Sequence, residues 1–243
     1  MNLVLLYPDE AIGAGRFRVR GARHQHVRDV LGLSKGERVR AGILEGAAGT
    51  ANVASLSDEE LVLEDFVEES VPARAKLDLF LALPRPKTLK RLLPQIAALG
   101  VDRLVLFRCW RVERAYLDSP ILTPELYEPL LDEGLMQARD TRRPRVSLEP
   151  RFVPFVEDRL GSLAGERRIV FHPAGAAFRT EAIDPSIRVS LVVGPEGGFL
   201  PKEVAKLEAL GFEVAGLGPR ILRTDTATVM ALGLIAAARG FAD

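Results

Sequence analysis

Val193-Gly194-Pro195-Glu196-Gly197-Gly198 closes an apolar run near the carboxyl end of this 243-residue chain. A second glycine-proline segment follows it, Leu217-Gly218-Pro219-Arg220-Ile221-Leu222-Arg223-Thr224-Asp225-Thr226-Ala227, and opens an apolar stretch predicted to be a helix. Each glycine-proline pair breaks the chain where it leaves a predicted strand. The two loops together predict a small-molecule pocket walled by peptide backbone rather than by charged side chains.

The region around these loops has the sequence rhythm of an α/β domain. From residue 75 onward, strands are predicted at 77–83, 101–107, 169–171, 189–193 and 213–217, alternating with helices at 88–99, 124–139, 201–210 and 225–239. Such alternation predicts a parallel sheet covered by helices. Ligands of open parallel sheets bind beyond the carboxyl ends of the strands. We therefore expect three loops, 172–175, 194–198 and 218–223, to share one rim.

The first 72 residues have a different pattern. Short β-like segments at 3–6, 16–19, 38–43, 50–56 and 61–66 are separated by turn residues, with a short helix at 24–31, as in a small barrel. Glu68-Glu69-Ser70-Val71-Pro72 looks like a boundary. We predict two domains, a β-barrel at 1–72 and an α/β domain at 73–243.

Composition narrows the class of protein. With 47% hydrophobic and 27% charged residues, the chain can bury a core. It has no membrane-length apolar run and no signal-peptide pattern, so we expect a cytoplasmic protein. The lone Cys109 and the scattered His24, His26 and His172 predict no metal site. Dinucleotide, P-loop, zinc-protease and serine-hydrolase motifs are all missing from the sequence.

Charge is balanced overall but uneven along the chain. The formal net charge is +0, yet eight cations and only two carboxylates lie between Arg16 and Arg40, and an acidic stretch follows at 58–69. This basic block is either a phosphate-contacting face or a solvated strand surface, and the sequence favours neither.

The loops and the last helix also have two interpretations each. Gly194–Gly198 either presents its backbone to a ligand or forms a tight strand-to-helix turn. In the second loop, the amides and carbonyls of Ile221, Leu222 and Arg223 are free to pair with a flat heterocycle, and Thr224 or Asp225 is expected to cap the last helix. That helix is apolar nearly all round, so it is buried within the monomer or against a second subunit.

In these residues the chain resembles the bacterial 16S ribosomal RNA uracil-N3-methyltransferase family, a branch of the SPOUT trefoil-knot methyltransferases. Further matching residues are Lys87, Leu99-Gly100-Val101, Arg111, Arg114, Glu133, Gln137 and Arg139, with His26, Val30-Leu31 and Lys35-Gly36-Glu37 in the N-terminal part. The resemblance implies an N-terminal PUA-like β-barrel that grips RNA and a C-terminal α/β domain with a deep trefoil knot. It also implies a homodimer, S-adenosylmethionine as methyl donor, and N3-methyluridine in the decoding region near the 3′ end of 16S rRNA as product.

The resemblance further implies site residues. The donor would contact Phe171, His172, Gly194, Glu196, Gly197, Gly198, Leu217, Gly218, Ile221, Leu222, Arg223, Thr226 and Ala227. RNA would contact Arg16, Arg18, Arg23, His26, Arg28, Lys87, Arg111, Arg114 and Arg139.

Uridine N3 must lose a proton before or during methyl transfer, so a cation near the uracil oxygens would stabilise the anionic base. Arg223 is the first candidate, with Arg111, Arg114 and Arg139 as alternatives. Glu196 either accepts the proton or holds its loop.

Two other functions fit the same sequence. One is a knotted methyltransferase that acts on another rRNA or tRNA nucleotide, for example at a ribose 2′-O. The other is a non-catalytic RNA-binding dimer that keeps the knot as a scaffold.

Overall fold

The structure is a computed structural model that describes residues 2–179 and 183–240. The chain forms two compact units. The first unit takes the described residues up to Ala73 together with Leu131–Arg143, and the second takes Arg74–Leu130 and the residues from Pro144 onward. The first unit therefore includes a segment that lies outside the predicted domain 1–72.

The first unit is built on a six-stranded sheet. Its strands are β1 (Val4–Leu6), β2 (Ala11–Gly13), β3 (Arg16–Val19), β4 (Arg38–Ile43), β5 (Ala48–Leu56) and β6 (Leu61–Ser70), in the spatial order β1-β4-β5-β6-β3-β2. β1 and β4 are parallel, and the other pairs are antiparallel. A short helix, α1 (Ala22–His26), continues into a π-helical turn at Val27–Leu31.

Alternation along the strands determines which side chains enter the core of this unit. In β3, Phe17 and Val19 are buried while the arginines between and beside them are exposed, because successive side chains point to opposite faces. Phe17 pairs with Leu63 and Val19 with Leu61 across β6. The core cluster comprises Val4, Leu6, Phe17, Val19, Val27, Ala41, Ala51, Val53, Leu61 and Leu63.

Polar contacts hold the segment Leu131–Arg143 in the first unit. The Tyr7 hydroxyl donates to the Asp132 carboxylate at 2.7 Å, and Arg143 binds the same carboxylate through two nitrogens at 2.7 Å. Burial and the hydrogen bond to Asp132 raise the pKa of Tyr7 to about 12. The Thr141 hydroxyl donates to the Gly46 carbonyl at 2.7 Å. These contacts leave the buried Asp132 carboxylate paired, as burial of a charge requires.

The second unit contains the predicted parallel sheet. Its strands are β7 (Leu77–Ala82), β8 (Arg103–Phe107), β9 (Arg145–Glu149), β10 (Arg167–Ala177), β11 (Val189–Val193) and β12 (Glu213–Gly216), in the order β12-β10-β11-β7-β8-β9. All five pairings are parallel. The helices are α2 (Pro86–Ala98), α3 (Pro124–Ala138, of which the last eight residues belong to the first unit), α4 (Pro201–Ala209) and α5 (Thr224–Ala238). A helical segment made of Phe152–Pro154, Phe155–Leu160 and Gly161–Leu163 lies between β9 and β10.

Burial on both faces explains why the sequences of the central strands are continuous apolar runs. Every residue of β7 and β11 is buried, as expected for a sheet covered on both faces. α2 buries Leu89, Leu92, Leu93 and Ile96 at helical spacing. The chain turns at Gly100, which has φ +74°, just beyond the end of that helix. The predicted α/β class is confirmed. No helix in the described ranges is long and apolar enough to cross a bilayer.

The structure corrects three local predictions. Residues 172–175 are not a loop after a strand that ends at 171, because β10 continues to Ala177 with a register shift between Phe171 and Ala176. β2 and β9 were not predicted, since β2 has only three residues and β9 is a five-residue edge strand with a charged residue at each end.

Two buried carboxylates hold the amino ends of β7 and β8. Asp102 is bound by Arg74 at 2.8 Å, Arg145 at 2.9 Å and Arg188 at 3.0 Å, and Arg188 also binds Asp78 at 2.7 Å. Burial opposes ionisation of Asp102, but the guanidinium hydrogen bonds outweigh it and lower its pKa. Burial dominates at Asp78 and raises its pKa despite its arginine neighbours. This cluster lies at the opposite end of the sheet from the glycine-proline loops.

Candidate active site

A cleft opens beyond the carboxyl ends of β10, β11 and β12. The cleft has a volume of about 240 Å³ and is open to solvent on one side. Its lining comes from three segments: Phe171–Pro173, Val193–Phe199 and a third that runs from Leu217 to Ala227. The two glycine-proline loops thus share one rim, together with the irregular part of β10.

The first wall is the turn after β11. Gly198 has φ +71°, and its amide donates to the Pro195 carbonyl at 2.8 Å. Gly194 lies against the Phe199 ring, where an added Cβ would come within 3.1 Å of the ring carbons. Phe199 in turn stacks on Phe107, with ring centroids 6.2 Å apart and an interplanar angle of 5°. The turn is therefore anchored in the core while its glycine backbone faces the cleft.

The second wall is the segment before α5. Gly218 has φ +102°, which favours glycine, and the Ile221 side chain is 82% exposed. The Thr224 hydroxyl lies 3.5 Å from the Gly194 carbonyl, the longest separation that counts as a hydrogen bond. The predicted cap is wrong: α5 begins at Thr224 itself, and Arg223 occupies the N-cap position without a side-chain cap. Asp225 binds Arg91 of α2 at 2.9 Å instead.

The third wall is the irregular part of β10. Phe171 and Ala176 both pair with Ala215, so residues 172–175 bulge out of the ladder. A Cβ at Gly175 would lie 2.5 Å from the Ala215 carbonyl carbon, which shows how closely the two backbones approach. The bulge places His172 and Pro173 on the cleft.

Most residues predicted to contact a donor lie together on this cleft. They are Phe171, His172, Gly194, Glu196, Gly197, Gly198, Leu217, Gly218, Ile221, Leu222 and Ala227. Arg223 and Thr226 are not among the lining residues of the cleft. Residues that sequence reasoning missed are Pro173, Val193, Pro195, Phe199, Arg220 and Thr224. The sequence could have indicated Arg220 as a lining residue, since it stands inside the second loop motif. Phe199, in contrast, looked like part of an ordinary helix start.

The two predicted catalytic residues have different environments. The Glu196 carboxylate accepts a hydrogen bond from the Arg85 amide at 3.1 Å, which ties its loop to the segment after β7. The Arg223 side chain is 73% exposed, and its Nε lies 3.5 Å from the Asp225 carboxylate. Glu196 thus has a structural contact that explains its presence, and Arg223 remains accessible to a substrate.

Three predicted RNA-contacting cations belong to the second unit. Arg111 donates to the Gly197 carbonyl at 2.5 Å and packs its methylene groups on Gly197, so it supports the cleft wall. Lys87, near the start of α2, and Arg114 are exposed. Their roles toward RNA stay predictions.

The predicted RNA-contacting cations of the first unit are mostly paired. Arg16 pairs with Glu64, Arg18 with Glu60, and Arg28 with Asp29 and Asp58. Glu64 lies on β6, Asp58 and Glu60 shortly precede it, and Asp29 is in the π-helical turn, so these carboxylates pair with three cations of the basic block.

Arg23 is the most strongly engaged of these cations. It binds Glu10 through two nitrogens and lies 3.9 Å from the centroid of the Tyr7 ring. With 13% of its side chain exposed, Arg23 is a structural residue of this unit. His26 Nε2 is buried without a hydrogen-bond partner in the described structure, and Arg139 is exposed with φ +60° just after α3.

A family model for the RNA methyltransferase domain matches residues 71–236, which include every wall of the cleft. The chain belongs to this family. Its most informative motifs are therefore those that line the cleft of the RNA methyltransferase domain.

Relatives extend the likeness over the whole chain. The chain is 29% identical to the ribosomal RNA small subunit methyltransferase E of Treponema pallidum, over 98% of this chain and 91% of the relative. It is 25% identical to ribosomal RNA small subunit methyltransferase E 1 of Borreliella burgdorferi, over 95% of each chain.

Solved structures have the same fold. A methyltransferase E from Neisseria gonorrhoeae, bound to S-adenosyl methionine, superposes with a TM-score of 0.73 at 20% identity over 97% of each chain. A Legionella pneumophila chain in complex with the cofactor SAM superposes with a TM-score of 0.75 at 21% identity over 98% of each chain.

Proposed function

We propose that this protein transfers the methyl group of S-adenosylmethionine to N3 of a uridine in 16S rRNA. The observation that carries the proposal is the joint position of the two motif loops on one cleft, within the residues that match the RNA methyltransferase family. Relatives named for methylation of small-subunit ribosomal RNA support the substrate class. The reaction would take place in the cytoplasm, where small ribosomal subunits occur.

The walls of the cleft fit the donor. An adenosyl group needs a flat apolar slot with hydrogen-bonding groups at its edge, and the walls supply Leu217, Leu222 and Phe171 together with glycine backbone. Gly197 and Gly198 let the backbone approach a ligand closely, because no side chain intervenes. Two related folds carry the same molecule in their solved structures. When bound, the donor supplies an activated methyl group on a sulfonium.

The chain's own residues supply positioning and charge. With the N3 proton released to solvent, the uracil oxygens would carry negative charge until N3 accepts the methyl group, and the electron pair of the methyl–sulfur bond would stay with the donor. Arg223 is exposed and stands between the lining residues Leu222 and Thr224, and it is the group we assign to stabilise that charge. Glu196 holds its loop through the Arg85 amide rather than accepting the proton.

We also propose the finer architecture that this function entails. The first unit is a PUA-like domain that grips RNA, residues 1–72 being its main part, and the second is a SPOUT domain whose chain threads a deep trefoil knot. The surface ion pairs of Arg16, Arg18 and Arg28 are weak because water screens them, so phosphates can replace their carboxylates. The active form is a homodimer through the second unit, consistent with the exposed Ile221 and Met230.

Nucleoside analysis tests the proposal. The purified full-length protein is incubated with S-adenosylmethionine and either naked 16S rRNA or small subunits that lack the modification, and the RNA is digested for mass spectrometry. We expect N3-methyluridine to appear only when donor, protein and RNA are all present. A 2′-O-methylated nucleoside, or methylation of tRNA instead, would identify a different knotted methyltransferase.

Donor binding separates the remaining alternative. Calorimetry with S-adenosylmethionine should give a saturable heat with a stoichiometry of one per chain. If no heat appears while RNA still binds, the protein is a non-catalytic RNA-binding dimer.

A further inference from the structure

A second pocket lies beside the active-site cleft, at the carboxyl ends of β8 and β9. It contains Trp110, the only tryptophan of the chain, which is 70% exposed. Val153, 47% exposed, adds a second apolar surface to the same pocket.

The charge of this pocket is strongly positive. Four cations line it, namely Arg108, Arg151, Lys202 and Lys206, against the single carboxylate of Glu203. Glu203 is buried, and its two oxygens accept the amides of Trp110 and Leu200, each at 2.8 Å. Its charge is therefore held by the backbone. Lys206 pairs with Glu157, which leaves three cations for a ligand.

Two contacts show where an anion would be received. Lys202 Nζ lies 4.4 Å from the centroid of the Trp110 ring, so a group stacked on this indole would have a cation beside it. Arg108 Nε is buried and has no hydrogen-bond partner in the described structure. An unsatisfied buried donor costs free energy, and a ligand oxygen in the pocket would satisfy it.

Cys109 does not offer an alternative chemistry here. Burial and the nearby Glu203 carboxylate raise the pKa of its thiol to about 12, so it stays protonated. A protonated buried thiol is neither a nucleophile nor a metal ligand.

The pocket is linked directly to the active-site cleft. Trp110 is bound through its amide to Glu203, and the next residue, Arg111, donates to the carbonyl of Gly197 on the cleft wall. Arg111 follows Trp110 directly and is bonded to the cleft wall, so we expect a nucleotide at Trp110 to flank the one whose base enters the cleft.

We propose that the Trp110 pocket binds a nucleotide that flanks the target base in single-stranded RNA, with its base stacked on the indole and its phosphate held by Lys202, Arg151 and Arg108. The inference rests on the proposed RNA methyltransferase function and names how that function recognises its substrate. Aromatic stacking and cations tracking the backbone are how proteins hold single strands without reading sequence.

Because Trp110 is the only tryptophan, its emission reports on this pocket alone. The full-length protein is titrated with a short oligouridylate while tryptophan fluorescence and, with labelled RNA, anisotropy are recorded. We expect saturable quenching that follows the same binding curve as the anisotropy. RNA binding by anisotropy with unchanged emission would overturn the proposal.

Variants separate stacking from charge. Trp110→Ala should weaken oligouridylate binding roughly 5- to 100-fold, and Trp110→Phe should retain most of the affinity. Arg151→Met should lower the slope of log affinity against log salt by about one, because one phosphate contact is lost. Its matched control is Arg167→Met, at the amino end of β10, which should change neither affinity nor slope. Equal losses in the two arginine variants would contradict a local phosphate site.

The affinity for S-adenosylmethionine distinguishes a failure of the Trp110 pocket from a failure of the proposed function. S-adenosylmethionine binding should be the same in Trp110→Ala and in the unchanged protein. If the protein methylates 16S rRNA but its emission ignores RNA, only the Trp110 pocket fails. If emission changes with protein concentration in the absence of RNA, the patch contacts a second copy of the chain and the inference is wrong.

Discussion

Arg223 and Glu196 show how a single side chain is assigned a role from its contacts. Both stand in the glycine-proline motifs, and the sequence makes Arg223 the first candidate for charge stabilisation while Glu196 either accepts the proton or holds its loop. In the structure, Glu196 receives the Arg85 amide, whereas Arg223 is 73% exposed with only the Asp225 carboxylate near its Nε. A group that already has a structural partner needs less functional explanation than one that faces solvent beside residues that line the cleft.

Replacement of Arg223 by alanine should abolish methyl transfer and spare donor binding. Loss of one charge-stabilising group typically lowers kcat by about 100-fold or more. Arg223→Lys should recover part of the activity, since it retains the positive charge. The measurement is single-turnover methylation alongside calorimetry with S-adenosylmethionine. Unchanged turnover in Arg223→Ala would remove this residue from the chemistry.

Substitution of Glu196 distinguishes two roles for this residue, holding its loop and accepting the proton of uridine N3. A glutamine still accepts the Arg85 amide but cannot accept a proton from uridine, so Glu196→Gln should keep activity within a few-fold while Glu196→Ala lowers it and weakens donor binding. The pH–rate profile of Glu196→Gln should match that of the unchanged protein. A large loss in Glu196→Gln together with a lost acidic limb would make Glu196 the general base.

At the scale of elements, the amino ends of β7 and β8 are held by charge. Asp102 has a lowered pKa, so its contribution to stability is present above its ordinary pKa and is lost as pH falls through the lowered value. Asp78 has a raised pKa, so its ionisation lowers the stability of the folded protein as pH rises. At Asp102, the hydrogen bonds from the arginines outweigh the effect of burial, so the pKa is lowered rather than raised.

Asp102→Asn should therefore destabilise the protein and flatten its acid dependence. Removing one charge from a buried cluster costs roughly 2–4 kcal/mol in the free energy of unfolding at neutral pH. Urea unfolding at several values from about pH 3 to pH 7 measures both effects. The control, Asp158→Asn at an exposed position, should leave the unfolding free energy within about 0.5 kcal/mol. An acid limb as steep as that of the unchanged protein would contradict the role of Asp102.

The elements themselves differ in how far the sequence predicts them. β7 and β11 are continuous apolar runs, and α2 repeats its leucines at helical spacing, so local pattern was enough. β9 packs at a sheet edge through its neighbour β8, and its own residues carry no strong strand pattern. The bulge at 172–175 depends on contact between Gly175 and Ala215, which are far apart in sequence.

The candidate site follows the same division. The two loop motifs lie on the cleft as their sequences predicted, because both follow strands of one parallel sheet. Trp110 could not be found this way, since its importance comes from Lys202 and Arg151, which only the fold brings to it.

For the molecule as a whole, the proposed dimer gives a direct prediction. Met230 is an apolar residue of α5 that is 40% exposed. An exposed apolar side chain on this largely apolar helix suits a subunit interface. Met230→Glu should convert a dimer to a monomer in light scattering, because an unpaired carboxylate would be buried. Ile12→Glu, at an exposed position on β2, is the matched control and should leave the mass unchanged. A monomeric unchanged protein would reject the dimer.

The course of the chain through its two units limits how this protein can be divided. Leu131–Arg143 supplies the carboxylate that satisfies Tyr7, yet it is encoded between two stretches of the other unit. A fragment that stops at Ala73 would expose the surface that this segment covers and leave the Tyr7 hydroxyl without its acceptor. Recombination at a single crossover point could not transplant the first unit intact, so we expect the two units to have been inherited together.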